Sequence, residues 1–220
     1  KVPVFLGSSF AFMAGIMAII GDSRMGDPDF MEKLASVKGA LIIAGLVYVL
    51  FAGLIKIFGY EKVNKLLPPI VTGPIIIVIG LRLSGTAINS AFYYLVCLPL
   101  GFCDFTAVRE AHFLSFMDKD IVAQLLCRPQ FKLDAILAIA PIALVTMIEH
   151  VGDITTNGAV VGKNFMVDPG VHRTILGDGL ATALAGLLGG PANTTYGENT
   201  GVLAVTKVYD PSVIRIAAVF

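Results

Sequence analysis

Long uncharged, apolar segments recur along the chain, and their spacing gives the first indication of its structure. Segments without Asp, Glu, Lys or Arg are Val2–Gly21, Gly39–Ile55, Leu66–Leu81, Leu83–Cys103, Ala135–Ile148 and Gly179–Gly197. About 20 apolar residues in an α-helix cross the hydrocarbon core of a bilayer. The pattern therefore predicts an all-α, multi-pass membrane protein that has the lipid bilayer as a partner.

The same pattern predicts the extent of each helix. The expected helices cover about 2–20, 135–161 and 175–206 in a core group, with two further helices at about 39–58 and 66–88. Segment 89–103 contains Pro99 and Gly101, so we predict that it is re-entrant or does not span. The charged segment 104–134 is predicted to lie outside the membrane.

Basic residues in the loops predict the orientation of the helices. Lys and Arg accumulate in cytoplasmic loops, so segments 56–65 and 163–173 are placed inside. The more acidic loop 22–38 is placed outside. An even number of crossings must join the two inside loops, and the helices at 66–88 and 135–161 supply two. The chain between those helices then crosses the membrane either not at all or twice.

Composition excludes several classes of function. The chain of 220 residues is 56% apolar and only 15% charged, whereas soluble domains carry about 25% charged residues. Sixteen basic residues balance sixteen acidic ones, which argues against nucleic-acid binding. Three scattered cysteines form neither a disulfide framework nor a metal site. No catalytic or nucleotide-binding motif occurs, so we expect a protein that is not an enzyme.

Ionisable residues at the end of one apolar segment are candidates for a functional site. Glu149 and His150 directly follow the segment, and Asp153 comes one turn later. If 135–161 is one helix, Glu149 and Asp153 share a face and His150 points elsewhere. Ionisable groups inside a span suggest a substrate or proton pathway. In the alternative interpretation, the span ends at Ile148 and Glu149 lies among the lipid headgroups.

Two places in the chain have the pattern of a broken helix. Within 175–206, the residues GGPANTTYG interrupt the helical pattern, which predicts a strand at Asn193–Tyr196 and a half-helix from about Gly197. Near the N-terminus, β-prone Val2–Phe5 precedes Gly7-Ser8-Ser9 and a second half-helix. An ordinary loop between two short helices is the alternative at the later break. Two such breaks favour a partial inverted-repeat transporter, with each broken helix preceded by a short strand.

Four sequence motifs resemble those of the nucleobase–ascorbate transporter family, the nucleobase:cation symporters. TTYGENTGVLAVTK resembles the family signature, and MIEHVGD, VFLGSSFAF and LLPPIVTGPIIIVIGL resemble its eighth, third and fifth helices. The residue types at Glu198 and Lys207 resemble those of the bacterial uracil permease branch. Purine-type members more often carry Gln and Gly at these positions. Some uracil permeases have His where Asp153 stands, which leaves the proton route open.

The resemblance implies fourteen helices in two inverted repeats of seven, core and gate domains, and a homodimer in the bacterial inner membrane. By this comparison the chain is truncated at both ends, starting at the family's third helix and stopping in the eleventh. It would also lack two helices between the fifth and the eighth. We therefore expect part of a longer transporter.

The resemblance also implies a function and a set of site residues. The function is proton symport of a nucleobase, with uracil favoured by the motifs, the proton as coupling ion and no other cofactor or metal. The implied substrate-binding residues are Glu149, Glu198, Gly197, Tyr196 and Phe10, and the supporting or proton-coupling residues are Asp153, Asn199 and His150. Two alternatives remain open: transport of a purine such as xanthine or urate, and a fragment or partner subunit that does not transport.

Overall fold

The computed structural model describes residues 2–24, 26–66, 69–97, 99–101 and 119–218, which form ten α-helices and two short strands. The helices are α1 (Met13–Ile20), α2 (Phe30–Phe58), α3 (Tyr60–Leu66), α4 (Pro69–Phe92), α5 (Lys119–Leu126), α6 (Leu133–Ile139), α7 (Ile142–Val161), α8 (Val171–Leu188), α9 (Glu198–Thr206) and α10 (Pro211–Ala217). The strands are β1 (Leu6–Ser8) and β2 (Asn193–Thr195). Single π-helical turns follow α4 and precede α8.

The two strands pair with each other and join opposite ends of the chain. β1 and β2 are antiparallel, with Gly7 opposite Thr194. β2 lies within the predicted strand 193–196, and α9 begins one residue after Gly197. β1, however, lies at 6–8, beyond the β-prone segment 2–5. Its position follows from pairing with β2, because tertiary contacts outweigh the weak intrinsic preference of a short segment.

The close packing of α2 against α8 forms the centre of the structure. A Cβ atom on Gly45 of α2 would lie 2.6 Å from the carbonyl oxygen of Gly179 on α8. A Cβ atom on Gly186 would lie 2.8 Å from Cβ of Leu41. Glycines at these crossings let the two backbones approach closely, as in many membrane helix pairs. Phe12, Ile139, Ile154 and Ile175 belong to the hydrophobic core around this pair.

Two apolar stretches of helix within the described residues are long enough to cross a membrane. They are Phe30–Phe58 and Leu133–Val161. The first begins well before the expected residue 39, because the helix continues through three charged positions. The second was expected as a single helix over 135–161, but α6 ends at Ile139 and α7 begins after Pro141. Proline lacks the backbone N–H that would continue the helical ladder, which accounts for this break.

Lys38, a charged residue in the first part of α2, is buried against the end of α5. Its side chain is 1% exposed, and Nζ donates hydrogen bonds to the carbonyl oxygens of Gln124, Leu125 and Cys127 at 2.9, 3.2 and 2.6 Å. These carbonyls belong to the last turn of α5 and to the residue after it, where carbonyl groups have no N–H partner within the helix. Lys38 was assigned to an outside loop by its charge; the structure instead buries it as a cap of α5.

The segments expected on the same side of the membrane contact each other. The backbone N–H of Gln130 donates to the carbonyl oxygen of Ala35 at 2.8 Å. On the side predicted to be cytoplasmic, Tyr60 and Lys163 line a common cavity. These contacts agree with the orientation inferred from loop charges, which remains a prediction.

The region between α4 and α5 was expected to contain a non-spanning segment, 89–103, followed by extramembrane residues 104–134. The helix α4 continues to Phe92, and the π-helical turn Tyr93–Cys97 extends it. The first part of 89–103 is thus helical and continuous with the helix expected to end at 88. Residues 98 and 102–118 lie outside the described residues, and residues 119–134 contain α5 and the start of α6.

Candidate functional site

Backbone pairing brings the two half-helices together. Beyond the strand pair, the N–H of Ser9 donates to the carbonyl oxygen of Ala192 at 2.8 Å, and the N–H of Tyr196 donates to that of Phe5 at 3.0 Å. The strands therefore lead α1 and α9 away from one common point. α7 packs against α9 and β2 at this point.

A pocket lies where three parts of the chain meet: α7, β2 and the residues that precede α1. It is lined by Ser9, Phe10, Ala11, Glu149, Thr194, Thr195, Tyr196 and Glu198. Glu149 is half-buried, and Glu198 at the start of α9 is exposed. Four of the five residues predicted to bind substrate thus line one pocket, although they come from three distant parts of the chain.

Two aromatic rings lie nearly parallel at the edge of this pocket. The ring centroids of Phe10 and Tyr196 are 6.4 Å apart and their planes differ by 21°. The hydroxyl of Tyr196 donates to the carbonyl oxygen of Ser8 at 2.8 Å, which fixes the ring. A Cβ atom on Gly7 would lie 2.7 Å from Cζ of Tyr196, so glycine leaves room for it.

Gly197, the fifth predicted binding residue, packs directly on Asp153. A Cβ atom at position 197 would lie 2.6 Å from Oδ1 of Asp153. The other carboxylate oxygen accepts a hydrogen bond of 2.8 Å from the hydroxyl of Thr195. Asp153 is buried and is not among the residues that line the pocket. It therefore holds β2 and the start of α9 against α7.

His150 faces a second buried polar group behind the pocket. Its Nδ1 lies 3.3 Å from Oδ2 of Asp178 on α8, without the geometry of a hydrogen bond. The other oxygen of Asp178 accepts a 2.6 Å hydrogen bond from the side chain of Asn193. The Thr182 hydroxyl lies within hydrogen-bonding distance of the Asn193 backbone, accepting from its N–H at 3.2 Å. These contacts tie β2 to α8.

Sequence reasoning missed Asp178, Ser9 and Thr194. The signal for Asp178 was an acidic residue beside a long apolar segment, which had been treated as the boundary of that segment. The hydroxyls of Ser9 and Thr194 line the pocket, are buried, and have no hydrogen-bond partner among the described residues.

Asn199, the chain neighbour of Glu198, lines another cavity. Its side chain lines a separate, mainly apolar cavity together with Phe5, Val202 and Leu203. The role predicted for Asn199 in supporting Glu198 stays a prediction. Within the described ranges, no group of three or more His, Cys, Asp or Glu side chains could hold a metal ion.

Comparison with known proteins decides the family. A family model described as "Permease family" matches residues 1–93 and 90–220, which together cover the chain. The chain belongs to this permease family. The family resemblance inferred from the four motifs is confirmed, and the family indicates a membrane protein.

Relatives of this permease include several named for uracil. It is 38% identical to "Uracil permease" of Bacillus caldolyticus, and 36% identical to "Probable uracil permease" of Pasteurella multocida (strain Pm70). Both alignments cover 100% of this chain but only 59% and 60% of the relatives. The chain thus spans about three-fifths of the length of these proteins.

The alignments also show a difference in length from the relatives. The match to the Pasteurella protein runs over 264 residues, whereas this permease has 220. The relative therefore contains residues without a counterpart here. The two family matches meet at residues 90–93, within the part of the chain where two family helices were expected to be missing.

Proposed function

We propose that this chain takes part in the uptake of a nucleobase by proton symport across the bacterial inner membrane, with uracil as the favoured substrate. One observation carries the proposal: Glu149, Glu198, Phe10 and Tyr196 line a single pocket. The names of the uracil permease relatives support the substrate. A multi-pass topology, an inverted repeat and a homodimer in the bilayer belong to the same proposal.

The chemistry of the pocket suits a small planar ring that carries N–H and carbonyl groups. Uracil has two N–H donors and two carbonyl acceptors. The carboxylates of Glu149 and Glu198 can accept from the N–H groups. At the start of α9, the N–H groups of Asn199 and Thr200 already donate to backbone carbonyl oxygens. Those of Gly197 and Glu198 have no acceptor among the described residues, so they can donate to carbonyl oxygens of a substrate. Stacking on Phe10 or Tyr196 contributes about 0.5–1.5 kcal/mol beyond area burial.

The same two carboxylates provide a route for the coupled proton. Both line one pocket, so they repel each other when both are ionised, and one bound proton relieves that repulsion. Glu149 is the proposed proton acceptor, since it is the more buried of the two. Asp153 and His150 lie next to it along α7 and act as supporting groups.

Uptake of radiolabelled uracil in bacteria that lack their own uracil permease tests the proposal. We expect uptake that is driven by an inward proton gradient and is abolished by Glu149→Gln. Glu61→Gln, an exposed position on α3, serves as the matched control and retains uptake. Uptake by Glu149→Gln with an unchanged pH dependence would refute the role of this residue.

Two further measurements separate the alternatives. Competition by unlabelled uracil, xanthine and ascorbate shows whether the substrate is a pyrimidine or a purine. A chain that does not transport alone but restores or alters uptake when produced with a full-length uracil permease is a partner subunit. Absence of uptake in both settings, with the protein present in the membrane, contradicts the transport proposal.

A further inference from the structure

An apolar groove runs along the two helical stretches that are long enough to span a membrane. We call it the α2–α7 groove; its walls include Leu54, Ile55 and Phe58 from α2, and Leu144, Met147 and Val151 from α7. Its volume is about 350 Å³, within the roughly 300–1,000 Å³ of small-molecule sites. The groove therefore offers hydrocarbon contacts at the depth of the membrane interior.

One cationic group stands at the end of this groove. Lys62 on α3 is the charged residue in its lining, and its Nζ lies 4.9 Å above the centroid of the Phe58 ring. α2 ends at Phe58, and Gly59 with φ of 84° turns the chain into α3. Lys62 therefore lies just beyond the end of a spanning helix, at the level where lipid headgroups begin.

Basic residues outnumber acidic ones in the segment around Lys62. Segment 56–65 contains Lys56, Lys62 and Lys65 against Glu61 alone. Among the described residues, Lys62 forms no ion pair; its recorded partner is the face of Phe58. Basic residues directly beside a spanning helix attract anionic lipid headgroups.

We propose that the α2–α7 groove binds an anionic phospholipid, with an acyl chain along the groove and the phosphate on Lys62. An apolar channel with a single cation at its end is complementary to a molecule with a hydrocarbon tail and an anionic head. Because Met147 and Val151 flank Glu149 and His150 on α7, the lipid contacts the helix that carries the candidate pocket. The proposal does not depend on the identity of the transported substrate.

Native mass spectrometry of the purified chain tests this site. Phosphatidylglycerol and phosphatidylcholine with identical acyl chains are added in turn, and the bound fraction of each is measured. We expect phosphatidylglycerol to bind more tightly, and Lys62→Ala to weaken it about fivefold, the loss expected for one basic side chain near an anionic headgroup. Lys163→Ala, an exposed lysine on the same predicted side but outside the groove, leaves binding unchanged.

A second variant tests the groove itself. Leu54→Trp adds bulk to a residue that is 38% exposed, so it fills the groove while circular dichroism checks that the helices remain. We expect it to reduce binding of both lipids. Equal binding of the two lipids by the unmodified chain would overturn the proposal, as would equal losses for Lys62→Ala and Lys163→Ala. A dimer that Leu54→Trp dissociates would also overturn it, because the groove would then hold a second copy.

Discussion

The hydroxyl of Thr195 donates a 2.8 Å hydrogen bond to the Asp153 carboxylate, which joins β2 to α7. Asp153 lies one helical turn after Glu149, and Thr195 lies three residues before Glu198. The contact therefore sets the position of one pocket carboxylate relative to the other. It gives Asp153 a structural role beside the proposed binding residues.

Replacement of Thr195 by valine tests this contact. Thr195→Val keeps the shape of the side chain but leaves a buried carboxylate oxygen without its donor, which costs about 1–3 kcal/mol. We expect a lower thermal unfolding temperature for the purified chain and weaker uracil binding. Thr206→Val is the control, because the exposed Thr206 hydroxyl makes only local bonds: it donates to the carbonyl oxygen of Val202 and accepts from the N–H of Val208. Equal effects of the two variants would argue against a special role for the Thr195 contact.

Alanine at Gly197 should disturb the pocket directly. Its Cβ would lie 2.6 Å from a buried oxygen of Asp153, so either the Asp153 side chain or the start of α9 must shift. We expect a cost of about 1–3 kcal/mol and a weaker affinity for uracil by isothermal titration calorimetry. Gly201→Ala lies on the same helix and meets no atom within 4 Å. If Gly197→Ala binds as well as Gly201→Ala, the close packing is not required for the site.

The crossing of α2 and α8 predicts a contrast between two glycines of one helix. Gly45→Ala places a Cβ atom 2.6 Å from backbone atoms of α8, whereas Gly53→Ala meets nothing within 4 Å. We expect Gly45→Ala to lower the unfolding free energy by about 1–3 kcal/mol through overpacking. Gly53→Ala should be neutral or stabilising by up to about 1 kcal/mol, because alanine favours the helix. Thermal unfolding in detergent, monitored by circular dichroism, compares them; equal destabilisation would contradict the crossing geometry.

Lys38 should matter more for stability than any charge on the outside of α2. Lys38→Met removes the donor shared by three carbonyl oxygens, a loss of about 1.5–3 kcal/mol for bonds to a charged group. Lys33→Met removes an ion pair with Asp29 in which both side chains are at least one-third exposed, worth about 0–1 kcal/mol. Limited proteolysis near α5 should increase only for Lys38→Met. Similar protease sensitivity of the two variants would show that Lys38 does not anchor α5.

Much of the site could be predicted because its signals are local. Gly and Pro residues at 189–191 break a helix wherever they stand, and strand β2 and helix α9 follow as expected. Carboxylates at Glu149 and Glu198 stand out against apolar sequence. The residues Phe10 and Tyr196 were assigned by family motif, and the structure brings their rings together.

Other features could not be read from local pattern, because they depend on partners distant in sequence. The pairing of His150 with Asp178 joins residues on different helices, and Asn193 reaches Asp178 across the chain. Lys38 resembles an ordinary loop charge until α5 supplies its acceptors. Sequence alone cannot show such a contact, because a lysine in the same local sequence could equally well be solvated by water.

By itself, the sequence determined the apolar helices, the two breaks and the family, because the periodicity of apolar residues and the positions of Gly, Pro and charge act over a few residues. Only the tertiary structure decided which polar groups meet. β1 pairs at Leu6–Ser8 and not at the β-prone residues before it, and the pocket forms where that pairing brings Phe10 to Glu149 and Glu198. The physical reason is that a hydrogen bond or a packed ring gains free energy only when the fold brings its partner within reach.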